Sequence, residues 1–314
     1  MTSVTPVVSV LIASDRVAGS LPDCLSSLER QQRAPAFEVV IASSSPPGAD
    51  GEFSFPREWV RVETRNPATR RNLAASRARG SVLAFIDDDA IANKDWLSQL
   101  ARCYEDQRVL GVGGNVLPEW TGERPRWFPE EFDWVVGCSY RGLPRKASPV
   151  RNFIGCNMSF RREVFSVVKG FDDELGRGAA HPAGCEETDL CIRVGNHWPN
   201  GILLYEPQAV VQHLIPSSRE NWRYFLSRCF FEGRSKGHLA RLVGSRIGLS
   251  SERSYTLRTL PAGIVLGLYD TIAQRNWYGI ARASAILVGL LYTTTSYLVA
   301  SAVPGKTSKM AISR

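Results

Sequence analysis

Three consecutive carboxylates, Asp87-Asp88-Asp89, stand directly after the apolar run Ser81-Val82-Leu83-Ala84-Phe85-Ile86. Packed this closely, they repel one another unless a cation or cationic side chains neutralise them. A divalent ion, Mn²⁺ or Mg²⁺, is the economical answer, because such hard ions take oxygen ligands and fill their remaining positions with water and substrate phosphate. The plainer alternative is a solvated turn, or a cap on the helix that begins near Lys94, since aspartate is favoured in both. Position favours the metal: acids at the end of a buried strand lie where open α/β sheets bind ligands.

Two other charged groups bear on the same chemistry. Arg65, and then Arg70, Arg71 and Arg77 on an alanine-rich stretch, precede the strand. Guanidinium groups suit a diphosphate, and equally suit a solvated helix face. Glu186, Glu187 and Asp189 open another predicted helix, where the helix dipole by itself accounts for acids. Their functional reading is a general base, a carboxylate within hydrogen-bond reach of an acceptor hydroxyl.

The elements that must position these residues follow from the apolar pattern. Val7 to Ile12 predicts a strand and Leu21, Leu25 and Leu28 a helix running to Gln32. Phe37 to Ala42 and Val60 to Val62 predict two more strands, and Pro67 to Arg79 a helix capped by Gly80. After the Ser81–Ile86 strand, Lys94 to Glu105 reads as a helix, with Trp96, Leu97, Leu100 and Tyr104 on one side. Pro118 to Val150 has little periodicity and reads as a long loop region over the site. A strand over 152–160, helices over 161–168 and from Cys185, short strands over 202–205 and 209–213, and a basic, aromatic helix over 219–242 complete the pattern. Alternating strands and helices imply a mostly parallel sheet flanked by helices.

Beyond Pro261 the composition changes, and Ser284 to Val303 is a stretch without a charged side chain. Its length suits a bilayer core of about 30 Å. Thr293-Thr294-Thr295-Ser296 dilutes it, so an interfacial helical hairpin is the alternative. Two regions are therefore expected, a catalytic domain over 1–245 and a helical, membrane-associating segment over 246–314. The first residues lack a signal-peptide pattern, so the chain is expected at the cytoplasmic face of the membrane.

A chain of 314 residues with 44% hydrophobic and 22% charged residues has ample material for a core, and a net charge of +7 favours anionic partners. The seven cysteines are scattered and form no CxxC pair, which argues for reduced thiols over a zinc site or disulfide framework.

Three motifs together carry a resemblance: Arg71-Asn72-Leu73-Ala74-Ala75 through Phe85-Ile86-Asp87-Asp88-Asp89, then Gly155-Cys156-Asn157-Met158-Ser159-Phe160-Arg161-Arg162, then Gly184-Cys185-Glu186-Glu187-Thr188-Asp189. In this order they resemble a family 2 glycosyltransferase of the GT-A fold, across roughly residues 5 to 240. The resemblance implies a Rossmann-type nucleotide-diphospho-sugar transferase fold and an inverting transfer to a glycan or lipid-linked acceptor, as in polysaccharide biosynthesis. It implies a donor side formed by Ala13, Ser14, Arg16, Ser43, Arg71, Asn72, Asp87 and Asp88, and an acceptor side formed by Gly155, Asn157 and Asp189. Asp89 is the metal ligand it implies first, joined by Asp87 and by His213, which resembles an additional metal ligand of some members.

Two positions depart from the family pattern. Glu187 stands where relatives usually carry an aspartate base, which makes Glu186 a rival, and Ala42-Ser43-Ser44-Ser45 replaces a base-reading aspartate, which leaves the nucleobase open. A nucleotidyltransferase would share the metal and phosphate groups but has no need of Glu186-Glu187. A membrane-docked scaffold that has lost catalysis would retain the basic helix alone. Nucleic acid is not an expected partner, because the arginines are dispersed and no recognition motif occurs.

Overall fold

The computed structural model describes residues 6–14, 19–45, 52–173, 185–243 and 254–302. Its centre is a nine-stranded sheet in the order β3-β2-β1-β4-β8-β6-β9-β5, with β7 pairing on β9. The strands are β1 (Val8–Ser14), β2 (Phe37–Ser43), β3 (Arg57–Arg61), β4 (Val82–Ile86), β5 (Ala90–Ala92), β6 (Val109–Trp120), β7 (Ser148–Pro149), β8 (Asn157–Arg161) and β9 (Ile202–Ile215).

The first four strands in this order are all parallel. Alternate residues of β1, β2 and β4 go to opposite faces: Val10, Ile12, Val39, Ile41, Ala84 and Ile86 join one apolar cluster, and Leu11, Val40, Ala42, Leu83 and Phe85 the other. A strand packed on both faces must be apolar throughout, which is why these runs are unbroken. Helices α1 (Leu21–Glu29) and α3 (Trp96–Cys103) contribute to the first cluster, and α2 (Pro67–Arg77) and α5 (Glu186–His197) to the second.

Beyond β4 the sheet becomes mixed, which corrects the expectation of a mostly parallel sheet. β8 enters antiparallel between β4 and β6, followed by the short helix α4 (Arg162–Val168), and β6 and β9 then pair parallel. The two short strands expected over 202–213 are one strand: the register jumps from Gly114 opposite Glu206 to Asn115 opposite Val210, so 207–209 bulge out. The bulge takes Pro207, which has no N–H to give, out of the ladder. Gly80 does not cap α2, whose C-cap is Ala78. A Cβ on Gly80 would lie 2.6 Å from the Ser9 nitrogen, so the residue serves close approach to β1. The supposed loop over 118–150 is partly ordered into the end of β6, a 3-10 segment Glu130–Val136 and β7.

Three helices close the structure: α6 (Trp222–Val243), α7 (Leu260–Ala273) and α8 (Tyr278–Ala302). α7 and α8 pack onto the sheet domain rather than trail from it. A Cβ on Gly233 of α6 would lie 2.1 Å from the Thr293 carbonyl oxygen of α8, so glycine lets the two backbones approach this closely. Tyr255 joins the same assembly, donating from its hydroxyl to the Glu131 carbonyl and accepting from Trp134 Nε1. The expected boundary at 245/246 lies outside the described residues.

Candidate active site

The aspartate triplet leaves the C-terminal end of β4, and each carboxylate has a different partner. Asp88 accepts a hydrogen bond from Ser14 Oγ at the end of β1, 2.6 Å away. Asp89 lies 3.2 Å from His213 Nε2, because β5 pairs with β9 and sets Ala90 opposite His213. Burial would push the Asp89 carboxyl up, but the His213 hydrogen bond and the charges of His213 and Arg219 hold it below its ordinary value.

Ligand atoms of Asp87, Asp89 and His213 lie within 4.8 Å of one another. Two carboxylates and an imidazole are a donor set for a divalent ion, and the grouping leaves substrate oxygens and water to complete the shell. His213 is buried, and its Nδ1 lies 3.7 Å from the Cys138 thiol, which orients Nε2 towards Asp89. All seven cysteines are free, in line with the sequence, and burial pushes the Cys138 and Cys156 thiols well up.

Arg71 joins the acids at the ends of two elements. Its Nη2 lies 2.9 Å from Asp87 Oδ1, while Nη1 lies 3.2 Å from Glu187 Oε1 and 3.5 Å from Glu186 Oε1. Burial would lower its pKa, yet these three carboxylates raise it, so the guanidinium stays charged. Arg70 is also buried, but its Nε and Nη groups donate to Thr64 and Ser14 carbonyls and to Ser44 Oγ, which ties together the ends of the parallel strands. Arg77 lies at the surface, 3.9 Å from Glu58.

Glu186 and Glu187 occupy the first turn of α5 but face different surroundings. Glu186 Oε2 accepts from the Cys185 backbone N–H, as an acid at a helix N-terminus does, and its side chain is 5% exposed. Glu187 is 19% exposed and turns towards Gly155. A Cβ on Gly155 would stand 2.0 Å from Glu187 Oε1, so the glycine makes room for the carboxylate.

The remaining expected residues have framework partners. Asn72 exchanges hydrogen bonds with Phe171, donating to its carbonyl and accepting from its N–H, both at 2.8 Å. Ser43 is buried and accepts from the Ser45 N–H. Asn157 is buried, accepts from Trp96 Nε1 and donates to the Asn115 and Ala209 carbonyls, which fastens β8 to β6 and β9. Asp189 pairs with Arg193 at 2.7 Å, and Arg193 reaches the carbonyls of Val168 and Gly170. Arg16 lies outside the described residues.

Ala13, the aspartates, Arg71, Gly155, Glu186, Glu187 and His213 line a single cavity of about 900 Å³. Its other walls escaped the sequence reading. Arg151 and Arg219 belong to it, as do Tyr224 and Arg228 of α6, Tyr255, and Leu290, Thr294 and Tyr297 of α8. The membrane-like composition of α8 gave no sign that it completes a site. The small residues Gly233, Gly237 and Gly289 were the local trace of its close packing.

The model of glycosyl transferase family 2 matches residues 9–168, just over half of the chain. A glucosyl-dolichyl phosphate glucuronosyltransferase of Haloferax volcanii is 38% identical over 175 residues, covering 55% of this chain and 56% of that protein. The chain thus spans little more than half the length of that relative. The succinoglycan biosynthesis protein ExoM of Rhizobium meliloti is 26% identical over 282 residues, covering 85% and 86%. Among solved structures, the mannosyltransferase PcManGT of Pyrobaculum calidifontis, in complex with GDP-Man and Mn²⁺, superposes with a TM-score of 0.56 at 16% identity, over 93% of this chain and 88% of that one. On this match and on the GT-A architecture that carries its motifs, the chain belongs to glycosyltransferase family 2.

Proposed function

We propose that the chain is an inverting glycosyltransferase that moves a sugar from a nucleotide-diphosphate donor to a hydroxyl of a glycan or lipid-linked acceptor. The observation that carries this reading is Arg71, which binds Asp87 on the donor side and Glu187 on the acceptor side within one cavity.

In this reading Glu187 is the general base. It takes the proton of the acceptor hydroxyl as that oxygen bonds to the anomeric carbon and the bond to the diphosphate oxygen breaks. Displacement from the opposite face inverts the anomeric centre. Glu186 is held by the N-terminus of its own helix, which favours its neighbour for the task. Gly155 provides the space that the extra methylene of glutamate, relative to aspartate, requires. Arg65, Arg71 and Arg219 line the cavity and offset charge on the departing diphosphate. A divalent ion, Mn²⁺ or Mg²⁺, held by Asp87, Asp89 and His213, would supply Lewis-acid stabilisation of that diphosphate. The neighbour in complex with GDP-Man and Mn²⁺ supports a donor-and-metal site of this kind, and the name of the dolichyl phosphate relative supports a lipid-linked acceptor.

The C-terminal hairpin is read as an interfacial anchor at the cytoplasmic face. By rise per residue α8 is about 37 Å long and α7 about 21 Å, so only α8 could cross a hydrocarbon core of about 30 Å. One face of α8 is committed to α6, which carries Arg223, Arg228, Glu232 and Lys236. A helix seated on so charged a partner is better placed along the bilayer surface than through it.

Hydrolysis of a panel of nucleotide sugars with and without Mn²⁺ tests the reading. One donor should turn over in a metal-dependent manner and Asp89→Asn should abolish that turnover. A folded chain that hydrolyses no donor would favour a catalytically inactive scaffold.

A further inference from the structure

The site cavity does not end at the donor groups. Along α6 the lining residues Tyr224, Arg228, Glu232 and Lys236 recur every fourth position, so they form one stripe about 18 Å long. Facing it, Leu290, Thr294, Tyr297 and Leu298 lie on one side of α8. This arm is chemically divided. Among the described residues, Arg228 and Lys236 of α6 and Arg151 line the cavity as cations, and Glu232, the acid of the α6 stripe, pairs with Lys236 at 3.4 Å. The α8 wall offers hydrocarbon, one phenol and threonine hydroxyls.

The arm also has a side exit. Leu298 lines the cavity, yet is 59% exposed, and it belongs to the same outer surface as Leu291, 62% exposed, and Val299, 60% exposed. The cavity therefore opens sideways onto the apolar face of the hairpin, not only towards water. A soluble oligosaccharide acceptor has no use for an apolar wall that leads to an exposed apolar face. An amphiphile with an anionic head matches both walls.

We propose that this arm binds an acceptor lipid whose sugar head is joined to its hydrocarbon chain through a phosphate or diphosphate. The phosphate lies against Arg151, Arg228 and Lys236, and the chain leaves past Tyr297 and Leu298 into the bilayer. The proposal rests on the transferase reading, because it places the head beside Glu187.

Binding to the purified full chain tests it, with farnesyl phosphate, farnesyl diphosphate, farnesol, inorganic phosphate and inorganic diphosphate as probes. At least one farnesyl anion should bind at least tenfold more tightly than farnesol and than its inorganic counterpart. Thr294→Trp, which fills the arm from an exposed helix position, should weaken it at least tenfold, and Tyr297→Ala gives a second perturbation that removes volume instead. Farnesol binding as well as its phosphate would show greasy adsorption, and inorganic anion binding as well as the lipid would show that the apolar wall is unused; either overturns the proposal. Metal-dependent donor hydrolysis on the same preparation separates the two readings. Hydrolysis without lipid preference sinks the acceptor proposal alone, whereas lipid preference without hydrolysis sinks the transferase reading and with it the acceptor role, leaving only a lipid-binding arm.

Discussion

Arg71 and Glu187 are 116 positions apart in sequence, yet the guanidinium Nη1 stands 3.2 Å from the carboxylate Oε1, while Nη2 of the same group holds Asp87 at 2.9 Å. One rigid fork thus spaces the acid at the end of β4 from the acid at the start of α5. A lysine ammonium is a point charge and does not fix that spacing.

Arg71→Lys should therefore keep the fold but lower kcat/KM on the order of a hundredfold, as a mispositioned group does. Arg71→Ala leaves three carboxylates without their buried cation and should cost about 3 kcal/mol of stability or more. Chemical denaturation beside steady-state kinetics checks both. If Arg71→Lys retains full activity, the bridge does not position the base.

Glu186 and Glu187 are adjacent but predict opposite results. Glu187→Gln should lower kcat by about 10²- to 10⁴-fold while donor binding persists, as removal of a general base does. Glu186→Gln keeps an acceptor for the Cys185 N–H and should change kcat far less. A larger loss at Glu186 would reverse the assignment.

Gly155→Ala offers a finer probe, since its Cβ would meet the tip of a flexible side chain, Glu187 Oε1, at 2.0 Å. The carboxylate must swing away while the backbone stays. Reduced kcat with unchanged donor KM and unchanged Tm is the expected pattern, and a large drop in Tm would mean that the glycine serves folding instead.

What was legible in the sequence was local. Strands β1, β2 and β4 announced themselves because burial on both faces demands unbroken apolar runs, and the triplet was placed correctly because it follows one of them. The antiparallel entry of β8 was not legible, since its partners β4 and β6 are chosen by pairing across distant sequence. Nor did helix position separate the arginines. Arg70 and Arg77 lie two turns apart on one side of α2, but only Arg70 reaches the strand ends, where the Thr64 and Ser14 carbonyls await donors. Asn157 was assigned to the acceptor side by resemblance alone, and nothing in the sequence showed that its amide joins β8 to β6 and β9.

Asp133 gives a pH test away from the chemistry. Burial pushes its carboxyl up from 3.8 to about 6, with Arg124 opposing the shift and Glu130 and Glu131 adding to it. The fold therefore favours the protonated form. Its contribution is most favourable below the unfolded value, declines as pH rises from about 4 to about 6, and above that is a constant penalty on the order of 3 kcal/mol. Asp133→Asn, which keeps an oxygen for Arg124, should raise Tm at pH 7.5 and match the parent at pH 4. Equal Tm values at both pH values would remove the buried-charge argument.

The hairpin makes the last prediction. Ile272 at 80% exposure and Trp277 at 77% stand near the turn between α7 and α8, with Arg275 between them. An aromatic and an aliphatic side chain flanking a cation suit the boundary between headgroups and acyl chains, where each large apolar group adds about 1.5 kcal/mol or more on burial. Truncation after Ser254 would also strip Tyr255 and the α8 wall from the cavity, so point changes are the cleaner test. Ile272→Asp with Trp277→Asp should reduce sedimentation with anionic vesicles at least tenfold, while hydrolysis of a water-soluble donor continues. Transfer to a lipid acceptor presented in the same vesicles should fall in parallel with binding. Unaltered vesicle binding by the double variant would show that this turn does not enter the membrane.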